Sequence, residues 1–253
     1  MPSDLIKISV VVTCFNNEKS IEKCLNSVRF ADEILVLDSF SSDNTLALIK
    51  KFTVRLKQQE FKGFWQQKQD AIDFARHDWV LLLDSDEFLS SKAQKIMQQW
   101  QRQKPRADAY ALPRREWVFW QWSHPWVKRN TFVRLFNKNR ASMSHDLVHE
   151  SVLSEGKIAA LGAEIRHFGE TSIAVKMSKI NRYSTLAAQQ KYSRGKRVGR
   201  IKLLVYPLWY FFRQYFIRRQ IFNGVAGFIN AYLNSKYAFL KYAKLYELQK
   251  NKN

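Results

Sequence analysis

The run from Trp79 to Phe88 constrains the fold of this chain more than any other stretch. Five successive apolar residues, Trp79, Val80, Leu81, Leu82 and Leu83, lead directly into Asp84, Ser85, Asp86 and Glu87. A strand with one face in water would alternate apolar and polar residues, so an unbroken apolar run predicts a strand covered on both faces. Helices must then lie on each side of its sheet, which is the α/β class. Ligands of open α/β sheets bind beyond the carboxyl ends of the strands. Two carboxylates one residue apart at such an end can hold a divalent cation against a diphosphate.

Two upstream stretches have the same form. Residues 8–12 are apolar but for Ser9 and run through Thr13 into Cys14, Phe15, Asn16, Asn17 and Glu18; residues 34–37 run into Asp38 and a loop ending at Asp43. Between them, Ile21, Leu25 and Val28 recur at helical spacing within 18–29. Asp43 is placed to cap a helix holding Leu46, Leu48 and Ile49. A short strand over 54–57 and helices over 63–76 and 92–104 complete a βαβ alternation, which predicts a mostly parallel sheet with right-handed crossovers. The segment 107–168 changes character, with shorter strands expected over 131–136 and 147–153. From Thr171 the pattern is helical. A basic connector over 194–200, broken by Gly195 and Gly199, precedes helical segments over 201–217 and 219–248.

The formal net charge is +20 over 253 residues, and its distribution is uneven. From Thr171 onward 17 Lys or Arg face a single acid, Glu247, which leaves only +4 for the first 170 residues. A basic tail attracts nucleic acid or an anionic membrane surface. Its basic residues are interleaved with Tyr206, Trp209, Tyr210, Phe211, Phe212 and Tyr215, the composition of an interfacial helix. A helical pair packed on the catalytic domain and a dimer interface are the alternatives. The longest apolar run there, 203–212, is interrupted by Arg213 and falls short of the ~20 residues of a membrane span. The two cysteines, Cys14 and Cys24, make no disulfide framework and are expected to be reduced thiols. No secretory signal pattern is seen, so a cytoplasmic location is expected.

In order and spacing, the three strand ends resemble the nucleotide-binding half of glycosyltransferase family 2, with its GT-A, Rossmann-like fold. The tail sequence 222–231, containing Gly224 and Gly227, and the sequence 241–247 are similar to the WaaE/KdtX subfamily of lipopolysaccharide-core enzymes. The resemblance implies a GT-A catalytic domain over 1–170, divided into a nucleotide-sugar half (1–105) and an acceptor half (106–170). It also implies a membrane-associating helical region over 171–253. On the matching positions, Thr13, Asn16, Glu18, Asp38, Lys68, Asp84 and Ser85 face the donor nucleotide. Asp86 ligates Mg²⁺ or Mn²⁺, helped by His167 and with Asp84 at the metal or beside the donor ribose. Family members carry an acid after Asp-x-Asp as catalytic base, often as Glu-Asp; here the pair is His149 and Glu150. Glu150 is expected to be the base, with His149 as its orienter or substitute. Arg114, Arg115, Arg129 and Arg134 flank Trp117, Phe119, Trp120, Trp122 and Trp126, a candidate acceptor site for a phosphorylated saccharide.

The implied enzyme is bacterial, cytoplasmic and peripheral to the inner membrane. It moves glucose from UDP-glucose, with inversion, to an inner-core heptose of the lipid-A-linked core. A transferase acting on polyprenyl phosphate or another glycolipid is the nearest alternative. A nucleic-acid-binding protein would account for the charge but not for the three strand ends, and no nucleic-acid partner is expected. Oligomeric state is left open.

Overall fold

A computed structural model describes residues 5–145 and 151–251. The chain divides into two compact units, Met1–Arg115 with Arg129–Phe168, and Glu116–Lys128 with Gly169–Asn253.

The first unit opens with β1 (Ile8–Cys14), α1 (Ile21–Asn26), β2 (Glu33–Asp38), α2 (Thr45–Ile49), β3 (Arg55–Gln58), α3 (Phe64–Asp73) and β4 (Trp79–Asp84). Along the chain β5 (Glu87–Leu89), α4 (Ser91–Trp100), β6 (Ala109–Val118), β7 (Gln121–Trp122), β8 (Asn130–Asn137), β9 (Ala141–Met143), β10 (Val152–Ser154), β11 (Ile158–Ala160) and β12 (Ile165–Glu170) follow, with β7 and the last residues of β6 and β12 counted in the second unit. The main sheet runs β3-β2-β1-β4-β8-β6-β12-β5, with β7 and β11 paired to β6. Its first four strands are parallel, as their helical crossovers require. Beyond β4 antiparallel pairs enter: β4 with β8, β8 with β6 and β12 with β5. The sheet is therefore mixed, and the parallel expectation holds for the nucleotide half.

β1 and β4 are covered on both faces. Val10, Val12, Leu81 and Leu83 pack in one apolar layer with α1 and α4 residues such as Leu25 and Met97. Val11, Val80 and Leu82 pack in the other with Ala71 and Ile72 of α3. The unbroken apolar run of β4 is what this double coverage demands. Ser90 caps α4, its hydroxyl accepting from the Ala93 N–H. Of the strand expected over 147–153, residues 152 and 153 belong to β10, and residues 146–150 lie outside the described residues.

In the second unit α5 (Ile173–Ser193), α6 (Arg200–Phe212) and α7 (Gly224–Lys250) pack side by side. A π turn over Arg213–Ile217 and a 3-10 turn over Gln220–Asn223 join α6 to α7. Gly227 permits this turn, since a Cβ there would overlap the Gln220 carbonyl. The buried Lys176 ammonium bonds Glu170 and Asn230, both at 2.6 Å. No helix among the described residues is long and apolar enough to cross a membrane.

Candidate functional site: the carboxyl ends of β1, β2 and β4

Parallel register brings the three strand ends to one edge of the sheet. Thr13 pairs with Asp84, and Cys14 with Asp38. The loops after β1 and β2 are knitted together by residues expected at the nucleotide. The Asn16 N–H donates to the Ser41 hydroxyl and its side-chain oxygen accepts from the Ser42 N–H, both at 2.8 Å. The Glu18 carboxylate accepts from the Asn44 N–H at 3.2 Å. Asn16 and Phe40 hold positive φ, 47° and 59°. Such a backbone is uncommon outside glycine, more so for Phe than for Asn, and the cross-bonded loops hold it. Asp43 accepts from the Thr45 N–H at the start of α2, while Asn44 occupies the cap position. Asp38 is fully buried and accepts from the Ser41 N–H at 2.9 Å and from Gln58 at 3.1 Å.

After β4 the chain turns tightly, and its acids take different partners. Asp84 receives Lys68 of α3 at 2.8 Å on one oxygen and Arg134 of β8 at 3.1 Å on the other. Burial alone would raise the Asp84 carboxyl; the Lys68 and Arg134 cations override it and hold the group well below the usual carboxylate range. Ser85, expected at the nucleotide, is buried. Its hydroxyl accepts from Asn17 at 2.6 Å and its N–H donates to the Thr13 carbonyl, so it ties the β4 turn to the β1 loop. Asp86 meets His167, Oδ2 to Nε2, at 3.2 Å. β12 delivers that histidine: His167 is in register with Glu87, and the Phe168 N–H donates to the Asp86 carbonyl. Expected metal residues Asp86 and His167 are thus adjacent, whereas both oxygens of Asp84 are engaged by cations.

Sequence reasoning missed Glu87. It is fully buried and accepts from Arg114 at 2.9 Å and Arg134 at 2.8 Å, while its other oxygen accepts from the Asp84 N–H. The signal was present as a third acid in the run after β4, but its partners are 27 and 47 residues away. Arg114 and Arg134 therefore brace the β4 turn. Arg129 pairs with Glu164 at 2.7 Å. Trp117, Phe119, Trp120, Trp122 and Trp126 belong to the second unit, where the Trp117 and Trp122 rings meet edge to face. Cys14 and Cys24 are free and buried, and burial pushes the Cys14 thiol up to about 12.

His149 and Glu150 lie outside the described residues. Their flanks are fixed: β9 pairs with β10, and the Ser144 N–H donates to the Ser151 carbonyl. The His145 ring lies 4.4 Å from that of Trp65, and Gln69 accepts from the Met143 N–H. Both anchors are on α3, the helix that carries Lys68 to Asp84.

Two consequences are measurable. Glu87→Ala should destabilise the protein by about 3–5 kcal/mol in urea denaturation, since it removes the buried carboxylate shared by two largely buried guanidinium groups. The second concerns acid. An unfolded Asp titrates near 3.9, and folded Asp84 titrates lower. Its contribution to stability is therefore whole above that value and drains as pH falls toward the folded one. Below about pH 4, Asp84→Asn should lose stability less steeply with falling pH than the parent protein.

The model of glycosyl transferase family 2 matches residues 9–153, which take in all of β1 but its first residue, β2, β4 and the Asp84–Asp86 pair. The lipopolysaccharide core biosynthesis glycosyltransferase LpsC of Rhizobium meliloti (strain 1021) is 30% identical over 251 residues, covering 96% of this chain and 93% of the relative. An uncharacterized glycosyltransferase of Rickettsia conorii is 31% identical over 265 residues, covering 98% and 93%. Among solved structures, S. aureus TarS 1-349 aligns over 98% of this chain and 92% of its own, at 14% identity and a TM-score of 0.44. With a family match across more than half its length, a relative of 30% identity along nearly all of it and the strand ends in place, the chain belongs to glycosyltransferase family 2.

Proposed function

We propose that the protein transfers glucose from UDP-glucose, with inversion, to an inner-core heptose of lipid-A-linked lipopolysaccharide core. It does so at the cytoplasmic face of the inner membrane. The observation that supports its donor side, a nucleoside diphosphate with a cation, is the Asp86–His167 pair beside the joined ends of β1, β2 and β4, and the sugar itself rests on the family resemblance. A carboxylate and an imidazole 3.2 Å apart are a donor set that Mn²⁺ accepts readily and Mg²⁺ less so, with diphosphate and water completing the shell. When bound, such an ion supplies Lewis-acid stabilisation of the departing diphosphate.

The chain's own residues do the rest. Thr13, Asn16, Glu18 and Asp38 form the nucleoside wall, directly or by fixing its loops. Asp84 orients Lys68 and Arg134 beside the diphosphate, and Ser85 backs the turn that presents Asp86. Glu150 takes the proton of the acceptor hydroxyl as that oxygen attacks the anomeric carbon and UDP leaves, with His149 orienting it or taking its place. The acceptor class is suggested by the lipopolysaccharide-core relative and by a tail suited to a lipid surface.

The test is product analysis. The protein is incubated with Mn²⁺, a panel of nucleotide sugars and either truncated core glycolipids or polyprenyl phosphate, and products are read by mass spectrometry. A single hexose added to the core glycolipid from UDP-glucose is expected. Addition only to polyprenyl phosphate, or from a different nucleotide sugar, would replace that part of the assignment.

A further inference from the structure

The second unit presents an inverted helix. Within α6 the half-buried positions are Leu203, Tyr206, Pro207, Tyr210 and Phe211. The opposite stripe is Ile201, Leu204, Val205, Leu208, Trp209 and Phe212, at spacings of one helical turn. A surface helix places polar residues on such a stripe. Here every member is apolar and exposed, up to 79% for Ile201 and 73% for Leu208. The apolar surface continues onto α7, where Phe228 meets Phe211 at 5.7 Å and Val225 is 70% exposed. Isolated exposed apolar residues need no explanation, but a contiguous face of this extent marks a contact surface.

We infer that α6 is an in-plane membrane anchor whose outer stripe enters the acyl-chain boundary of an anionic leaflet. α6 has 13 residues and so spans about 20 Å, too short for a hydrocarbon core of about 30 Å. It therefore lies in the interface. Cations mark both ends of the stripe: Arg200 and Lys202 at one, Arg213, Arg218 and Arg219 at the other. No Asp or Glu occurs between Glu170 and Glu247. Two copies of this face would bring like charges together, whereas lipid phosphates match both the apolar stripe and its basic ends. The assignment deepens the membrane contact proposed above and rests on it.

The test uses the full chain with Leu208→Cys carrying an environment-sensitive thiol dye, and Gln189→Cys, exposed on α5, as control. The buried native cysteines stay unlabelled. On phosphatidylglycerol-containing vesicles the dye at 208 should shift to the blue and be quenched by brominated acyl chains, and the dye at 189 should not. Leu208→Glu should weaken vesicle binding by about tenfold or more, as loss of one buried leucine predicts, with an unchanged melting temperature. Vesicle binding with the 208 dye still in water would overturn the α6 insertion and leave the membrane contact standing. No binding to anionic vesicles would overturn both. A dimer in solution that Leu208→Glu converts to monomer, without acyl-chain quenching, would assign the face to a second copy instead.

Discussion

Asp86→Ala should lower glycosyl transfer by roughly 10³-fold, the several kcal/mol that a bound cation contributes to leaving-group stabilisation. The carboxylate stands at the sheet edge, 26% exposed and 3.2 Å from His167, so its removal opens no core cavity. The melting temperature should therefore stay near that of the parent protein, and loss of activity is not loss of fold. A chelator should produce the same deficit in the parent protein, and added Mn²⁺ should reverse it there but not in the variant. His167→Ala should give a milder loss, because the charged oxygen ligand of the pair, the Asp86 carboxylate, is kept. Full activity of the parent protein in excess chelator would remove the metal from the account.

Glu150→Gln should reduce turnover by roughly 10²–10⁴, the usual range for loss of a general base, with little change in UDP affinity. The variant keeps the shape of the side chain and loses only the ability to accept a proton. The flanks of this residue are held by the β9–β10 pairing and by contacts of Met143 and His145 with α3. Substitution should thus leave the donor residues undisturbed. If His149→Ala alone gives a fall in turnover at constant UDP affinity, the base is His149.

The nucleotide half was legible because each of its strands is determined locally. Runs such as Val80–Leu83 admit one environment, a strand covered twice, and the polar residues that end them mark where the sheet edge lies. The second half resisted for the opposite reason. β6 carries Pro113, Arg114, Arg115 and Glu116 inside a ten-residue strand, and only its place in the sheet beside β8 and its other partners makes that pattern strand-like. β5 has three residues and exists through β12.

The site divides along the same line. Asp86 and His167 were both named from sequence, and the antiparallel return of β12 brings them together. Glu87 looked like one more solvated acid in an acidic turn. Its burial depends on Arg114 and Arg134, whose neighbours in sequence are aromatic and suggested a saccharide surface instead. Long-range ion pairs leave no periodicity, so it is position in the sheet, not in the chain, that joins Glu87 to these arginines. The outward stripe of α6 was readable as composition but not as a face, since only packing on α7 tells which side is left outside.

The central claim is that the ends of β1, β2 and β4, with Asp86 and His167, form a site for a nucleoside diphosphate and its cation. Calorimetric titration of UDP with and without Mn²⁺, into the parent protein and into Asp86→Ala, tests it most directly. Mn²⁺ should tighten UDP binding to the parent protein by at least about tenfold, about 1.4 kcal/mol, and leave the variant unaffected. Equal UDP affinity with and without Mn²⁺ in the parent protein, or no UDP binding at all, would contradict it.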